Sequence, residues 1–178
     1  MIPLLSSIPF LVHFSLSVLA AVRLHLVSRL CLTSPTVEVF PEILEQTAPT
    51  QTILDPTRFV IDPSARAQRV PLHFLTLRIP FLATMFYDID LALAPVRAEH
   101  TAFYRRYLGY VPMMQPRDYP GLKKPIHLLT AKVKEQRHAV LARTPVFGPV
   151  EEIPHSNILF PSLSDVYAAS KGGHSEAA

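Results

Sequence analysis

Eighteen prolines are spread through 178 residues that contain only five glycines. Each proline removes a main-chain donor and fixes φ, so no helix or strand ladder here can run far without meeting one. The chain must be built from short elements joined by forced reversals. Hydrophobic residues make up 49% of it, enough to bury a core, and the length suits one domain.

The apolar residues are unevenly placed. Met1 to Val22 contains no Asp, Glu, Lys or Arg, and His13 is its single titratable side chain. Three readings are open. The length fits a membrane-spanning helix. Val18-Leu19-Ala20-Ala21 could end a secretory signal, although no positive charge precedes the apolar run and Pro3 and Pro9 interrupt it. Alternatively the chain enters a soluble sheet, because Val22 to Ser28 alternates with the two-residue period of a half-buried strand.

The formal charge of +3 favours an acidic partner: a phosphate-bearing cofactor, a carrier protein, nucleic acid or an anionic membrane. Basic residues are dispersed without interleaved aromatics, which argues against a nucleic-acid module. Cys31 is the one cysteine, so an internal disulfide and a Cys-only metal cage are excluded, and a reducing, cytoplasmic setting is expected. It has no motif partner that would make it a nucleophile. His25, His73 and His127 share no metal spacing and read as structural; no metal site is expected.

Further along, Val39 to Glu45 reads as a short helix with Pro41 in its first turn. Thr52 to Ile61 reads as a strand in which Pro56 marks an edge, a bulge or a splay. Arg69 to Tyr87 has apolar residues at helical spacing, with Pro71 in the first turn and Pro80 set to kink or split the helix. Asp90 to Val96 is a short strand, and Ala98 to Leu108 a helix with Glu99 at its positive end. Gly109 is placed to close that helix in the left-handed conformation. Tyr110 to Met114 and Ile126 to Val133 are strand candidates around a Pro-rich loop. From His155 the periodicity is lost, and a disordered end is expected. Strand, helix, strand, helix, strand, strand implies an α/β fold with helices on a mixed sheet.

Three segments carry a family resemblance: Ile53-Leu54-Asp55-Pro56-Thr57-Arg58-Phe59-Val60, Val96-Arg97-Ala98-Glu99-His100-Thr101-Ala102-Phe103-Tyr104-Arg105-Arg106-Tyr107-Leu108-Gly109-Tyr110, and Arg117-Asp118-Tyr119-Pro120-Gly121-Leu122-Lys123-Lys124-Pro125-Ile126. Together they resemble the FeeM-like N-acyl amino acid synthases, GNAT-fold N-acyltransferases related to acyl-homoserine-lactone synthases. The resemblance divides the chain into an apolar segment at 1–21 outside the match, an N-acyltransferase domain at 22–150 and a tail at 151–178.

It implies a sheet in which Thr52–Ile61 and Asp90–Val96 splay apart to admit an acyl thioester, with transfer of a fatty acyl group to the amine of an amino acid or related compound. Family parts that normally precede Val22 are not recognisable in Met1–Ala21. An inactive, truncated relative and a small membrane-anchored protein are therefore the alternatives. No permanently bound cofactor is implied. The segment after the first splayed strand, Asp62-Pro63-Ser64-Ala65-Arg66-Ala67-Gln68, lacks the Gly-rich loop that holds a coenzyme A pyrophosphate. That favours acyl carrier protein over acyl-CoA as donor, with Arg66, Arg69, Lys123 and Lys124 facing the carrier.

Asp55, Arg58, Phe59, Arg97, Phe103 and Tyr119 are the expected substrate contacts. Glu99 with His100 is the expected proton-accepting pair, and Tyr104 the expected donor to the thiolate. Each has a plainer reading. Arg58 could pair with Asp55 or Asp62, and Glu99 and His100 could cap the helix. Phe103, Tyr104, Tyr107 and Leu108 could be its core stripe.

Overall fold

The computed structural model describes residues 7–14, 17–68, 71–148 and 160–172. Among these, β1 (Ser7–Phe14) and β2 (Ser17–Val27) form an antiparallel hairpin. Two short helices follow, α1 (Pro35–Val39) and α2 (Ile43–Gln46). Then come β3 (Ile53–Ile61), a 3-10 segment at Pro63–Gln68, α3 (Leu72–Phe86), β4 (Leu91–Arg97) and α4 (Ala98–Leu108). The chain continues through β5 (Val111–Pro112), β6 (Ile126–Lys132), α5 (Val133–Arg143), a 3-10 turn at Pro145–Phe147 and α6 (Leu163–Gly172). The six strands form one sheet in the order β1-β2-β3-β4-β6-β5. All neighbours are antiparallel except β3 and β4, which are parallel.

Strand alternation assigns each apolar residue to a face. Val22, Leu24, Leu26 and Leu54 pack with Leu82 and Ala83 of α3 and with Phe160 and Val166 near the carboxyl end. Val27, Ile53, Leu91, Leu93, Ile126 and Leu128 point the other way, under Val37, Phe40 and Ile43 of the α1–α2 segment. Leu77, Leu108, Val140 and Phe147 form a third cluster where α3, α4 and α5 meet.

The described part of the apolar start is thus hairpin, not helix, and no helix among the described residues is long and apolar enough to cross a membrane. The strand expected at Val22–Ser28 begins earlier, at Ser17. Pro41 falls between two helices rather than inside one. Pro80 neither splits nor ends α3, which is one element from Leu72 to Phe86. Beyond His155 the lost periodicity hid one helix, α6, while the end expected to be disordered lies, from residue 173 on, outside the described residues. Phe160 and Val166 are buried, and the Tyr167 hydroxyl lies 2.7 Å from Ser28 Oγ. Gly109 closes α4 at φ 70° as expected, its N–H donating to Tyr104 O.

Candidate active site

The site begins where the sheet comes apart. β3 and β4 pair only at Ile53–Leu91 and Leu54–Ala92. Leu91 N–H donates to Thr52 O at 3.2 Å, which fixes the alternation. Residues 54 and 56 of β3, and 91, 93 and 95 of β4, turn their main-chain groups toward each other. On this register two of the next donors are those of residues 56 and 95. Both are proline, so two successive rungs cannot form. Each strand keeps its outer neighbour: β2 follows β3 to Ala20–Ile61, and β6 follows β4 to Arg97–Ile126.

A bulge turns β3 away. Between the pairs Arg23–Thr57 and Ala21–Val60, Arg58 and Phe59 stand opposite Val22 alone. Arg58 sits at φ 51°, a left-handed conformation that costs a non-glycine residue roughly 1 kcal/mol.

The gap opens into a cavity of ≈ 1200 Å³ lined by residues 54, 56–59 and 61 of β3 and 92–97 of β4. Its two halves differ in chemistry. On the α1–α2 face it is lined by Arg23, His25, Glu38, Thr57, Arg58 and Tyr119. On the α3–α4 face it is lined by Phe59, Leu77, Phe81, Phe103, Tyr104 and Val140. The aromatic side is tightly built: Phe74, Phe103 and Tyr107 have ring centroids 5.0–5.7 Å apart.

Residues 4–132 match the family model of the N-acyl amino acid synthase FeeM. The chain belongs to that family. The match takes in most of the apolar start, which the three motif segments had left outside the resemblance. The solved N-acyl amino acid synthase FeeM from uncultured soil microbes superposes with a TM-score of 0.65 at 14% identity, over 75% of this chain and 76% of that one. The acyl-homoserine lactone synthase BjaI, described as CoA-dependent and solved with SAM and isopentyl-CoA, superposes with a TM-score of 0.59 at 15% identity, over 93% of this chain and 74% of that one. No curated protein matches the sequence. The fold of this FeeM-family member is α/β and GNAT-like, as the resemblance implied.

The expected site residues of this family member separate into those at the cavity and those away from it. Arg58, Phe59, Arg97, His100, Phe103, Tyr104 and Tyr119 line it. Arg58 has no ion-pair partner among the described residues, because Asp62 is turned onto Ser64 N and Oγ, and Asp55 onto Thr36. Asp55 is fully buried. It accepts from Thr36 N at 3.1 Å and from Thr36 Oγ1 at 2.7 Å, so it anchors the first turn of α1 rather than meeting solvent. Burial pushes its carboxyl pKa up despite the Thr36 and Ser34 hydrogen bonds.

Glu99 is absent from the lining. It pairs with Arg97 at 3.4 Å on the surface, and Arg97 Nη2 also approaches His100 Nε2 at 3.4 Å. Lys123 and Lys124 are exposed in the loop before β6. Arg66 lies in the 3-10 segment after β3, and Arg69 lies outside the described residues.

Several polar groups in the cavity escaped the motif reading, Arg23, Glu38 and His25 among them. Glu38, on α1, is the single carboxylate in the lining among the described residues. His25, read as structural, is buried on β2 with its Nε2 3.0 Å from Thr57 Oγ1. Burial, reinforced by Arg23 and Arg58, lowers its pKa to about 4, so it is neutral at pH 7. Its alternation with Val22 and Leu24 was the available signal. A polar residue on a strand's second face reads as solvent-facing until a helix is known to cover it. Burial raises the pKa of Tyr104 to about 12 and, with Asp55 and Glu38 nearby, that of Tyr119 to about 12. Both hydroxyls keep their protons at neutral pH. Arg117 is structural: it donates to Glu42 and to Val39 O and lies over the Phe40 ring, tying the loop after β5 to α1 and α2.

Proposed function

We propose that this protein transfers a fatty acyl group from a carrier thioester to the amino group of an amino acid. The observation that carries the reading is the gap between β3 and β4, continuous with a cavity that is charged on one face of the sheet and aromatic on the other. An extended, amide-bearing thioester arm can use the unpaired main-chain groups of the two strands as a guest strand does. The acyl chain then lies among Leu77, Phe81, Phe103 and Val140, where burial is worth roughly 0.8 kcal/mol per methylene. The acceptor enters on the polar face, with its carboxylate toward Arg23 and Arg58.

Transfer needs a free amine, a polarised carbonyl and a donor for the departing thiolate. Glu38 takes the amine proton in place of Glu99, which the surface pairing with Arg97 occupies. Tyr104, protonated and beside the gap, donates to the thiolate. For the donor, Asp62 favours a carrier protein over coenzyme A. Its carboxylate already accepts Ser64 N at 2.7 Å and Ser64 Oγ at 2.6 Å. A negative charge therefore stands on the turn after β3, where a pyrophosphate would look for free amides. Lys123 and Lys124, exposed in the loop before β6, supply positive surface for an acidic carrier, and Arg66 and Arg69 are assigned to it from their sequence positions alone.

The test is turnover of acyl carrier protein and acyl-CoA substrates with a mixture of amino acids. Thiol release and the mass of the amide product are the readouts. Release of thiol with formation of an N-acyl amino acid, faster from the carrier, is expected. No release above the protein-free rate with either donor would overturn the reading.

A further inference from the structure

We propose that the Thr57 hydroxyl is a catalytic hydrogen-bond donor to the thioester carbonyl and that His25 is the residue that aims it. This rests on the acyltransfer reading above and assigns one step of it. Thr57 is the last residue of β3 before the bulge at Arg58 and Phe59, so it stands at the throat between the polar and aromatic halves. It is 8% exposed, and its one partner among the described residues is His25, 3% exposed, on the neighbouring strand.

Among the described residues the imidazole has a single hydrogen bond. Nε2 meets Thr57 Oγ1 at 3.0 Å, while Nδ1 is buried and unpartnered. A buried N–H without an acceptor is rarer and costlier than a bare lone pair, so the proton belongs on Nε2. Nε2–H then donates to Thr57 Oγ1. One lone pair of the hydroxyl is taken, and its own hydrogen is left to point away from the ring, into the cavity that both residues line. A neutral imidazole in a fixed tautomer, buried on the α1–α2 face of β2, thus holds a hydroxyl donor on β3 just past its last pairing with β4.

In the step assigned, the amine lone pair forms the C–N bond and the carbonyl π pair moves to oxygen. Thr57 O–H stabilises that oxygen as it gains charge. When the oxygen's pair returns, the C–S bond breaks and the thiolate leaves with a proton from Tyr104. The amine's proton goes to Glu38. Thr57 transfers no proton and ends as it began.

Steady-state rates with acyl carrier protein and amino acid decide the point, for wild type, Thr57→Val, Thr57→Ser, His25→Phe and the double variant His25→Phe with Thr57→Val. Loss of one such donor lowers kcat by about a hundredfold, so Thr57→Val is expected to fall by that much with KM for both substrates within about threefold. Thr57→Ser, which keeps the hydroxyl, stays within about tenfold of wild type. His25→Phe loses activity through a misdirected hydroxyl, and the double variant is no slower than Thr57→Val, because the two residues act as a unit. The double variant also removes both hydrogen-bond partners together, so it reports on the hydroxyl even where Thr57→Val alone fails to fold. Full kcat in Thr57→Val or in the double variant, with wild type active, overturns the proposal and leaves the acyltransfer reading standing. A wild-type protein that releases no thiol from any donor overturns both.

Discussion

β3 has two neighbours and treats them differently. Toward β2 it pairs from Ile53 to Ile61 and absorbs one bulge on the way. Toward β4 it lets go after Leu54. The difference lies in residue types that cost nothing on one side and everything on the other. Pro56 has no N–H to lose toward β2, because its main-chain groups face β4. Pro95 likewise leaves the β6 ladder intact, since β4 stays paired with β6 from Leu91 to Arg97. A sheet can thus be opened at one seam without weakening the flanking seams, and the opening is written in donors withheld rather than in strain. Arg58, at φ 51°, is where strain is spent, and it widens a seam that the prolines have already unlocked.

The largest effect should come from restoring those donors. Pro56→Val with Pro95→Val returns two N–H groups to facing positions and should zip β3 to β4 further along. Displacing a reacting group by about 1 Å already costs about a hundredfold in rate. Closure that excludes the thioester should therefore lower transfer by more than about a thousandfold while raising the melting temperature. Unchanged activity in the double variant would mean that something else holds the seam open.

Asp55→Ala acts on the closed side. It strands Thr36 N and Oγ1 at the start of α1, which should cost about 3 kcal/mol in denaturant unfolding. Loss of activity in that variant should follow loss of fold, because Asp55 lies outside the cavity lining.

His25 sharpens the contrast through pH. Its folded pKa of about 4 lies below the ordinary 6.5, so the unfolded chain binds the proton first. Stability is whole above about pH 6.5 and is lost as pH falls toward about 4, with roughly 2 kcal/mol gone by about pH 5. Urea melts at several pH values should show that loss in wild type and not in His25→Gln.

The smallest effect belongs to Gly109→Ala. Its φ of 70° disfavours a side chain, and a Cβ would come within 2.4 Å of Gln136 Oε1, the far end of a flexible side chain. About 1 kcal/mol of stability should be lost, with little change in kcat.

Much of the open seam was legible beforehand. Thr52–Ile61, Asp90–Val96, Ala98–Leu108 and Gly109 carry strong local signals: β-branched and apolar runs, a first-turn carboxylate and a positive-φ glycine. Pro56 in a strand already pointed to a splay. The register that sets Pro56 and Pro95 on facing edges is a tertiary fact and could not be read. α5 went unrecognised because it buries only Val133 and Val140, too thin a stripe to show helical period. α6 was lost for a related reason, since its packing rests on Val166 and on Phe160 before it. The polar half of the site is the hardest to see from sequence. His25 and Thr57 lie 32 residues apart on different strands, and Glu38 sits on a helix of five residues.

The most direct measurement is a crystal structure with a non-hydrolysable acyl-pantetheine analogue. The pantetheine amides should hydrogen-bond main-chain groups of both β3 and β4 beyond Leu54 and Ala92, with the acyl chain reaching Leu77 and Val140. A structure with β3 and β4 paired along their length, or with the analogue bound anywhere but between them, would contradict the mechanism at its root.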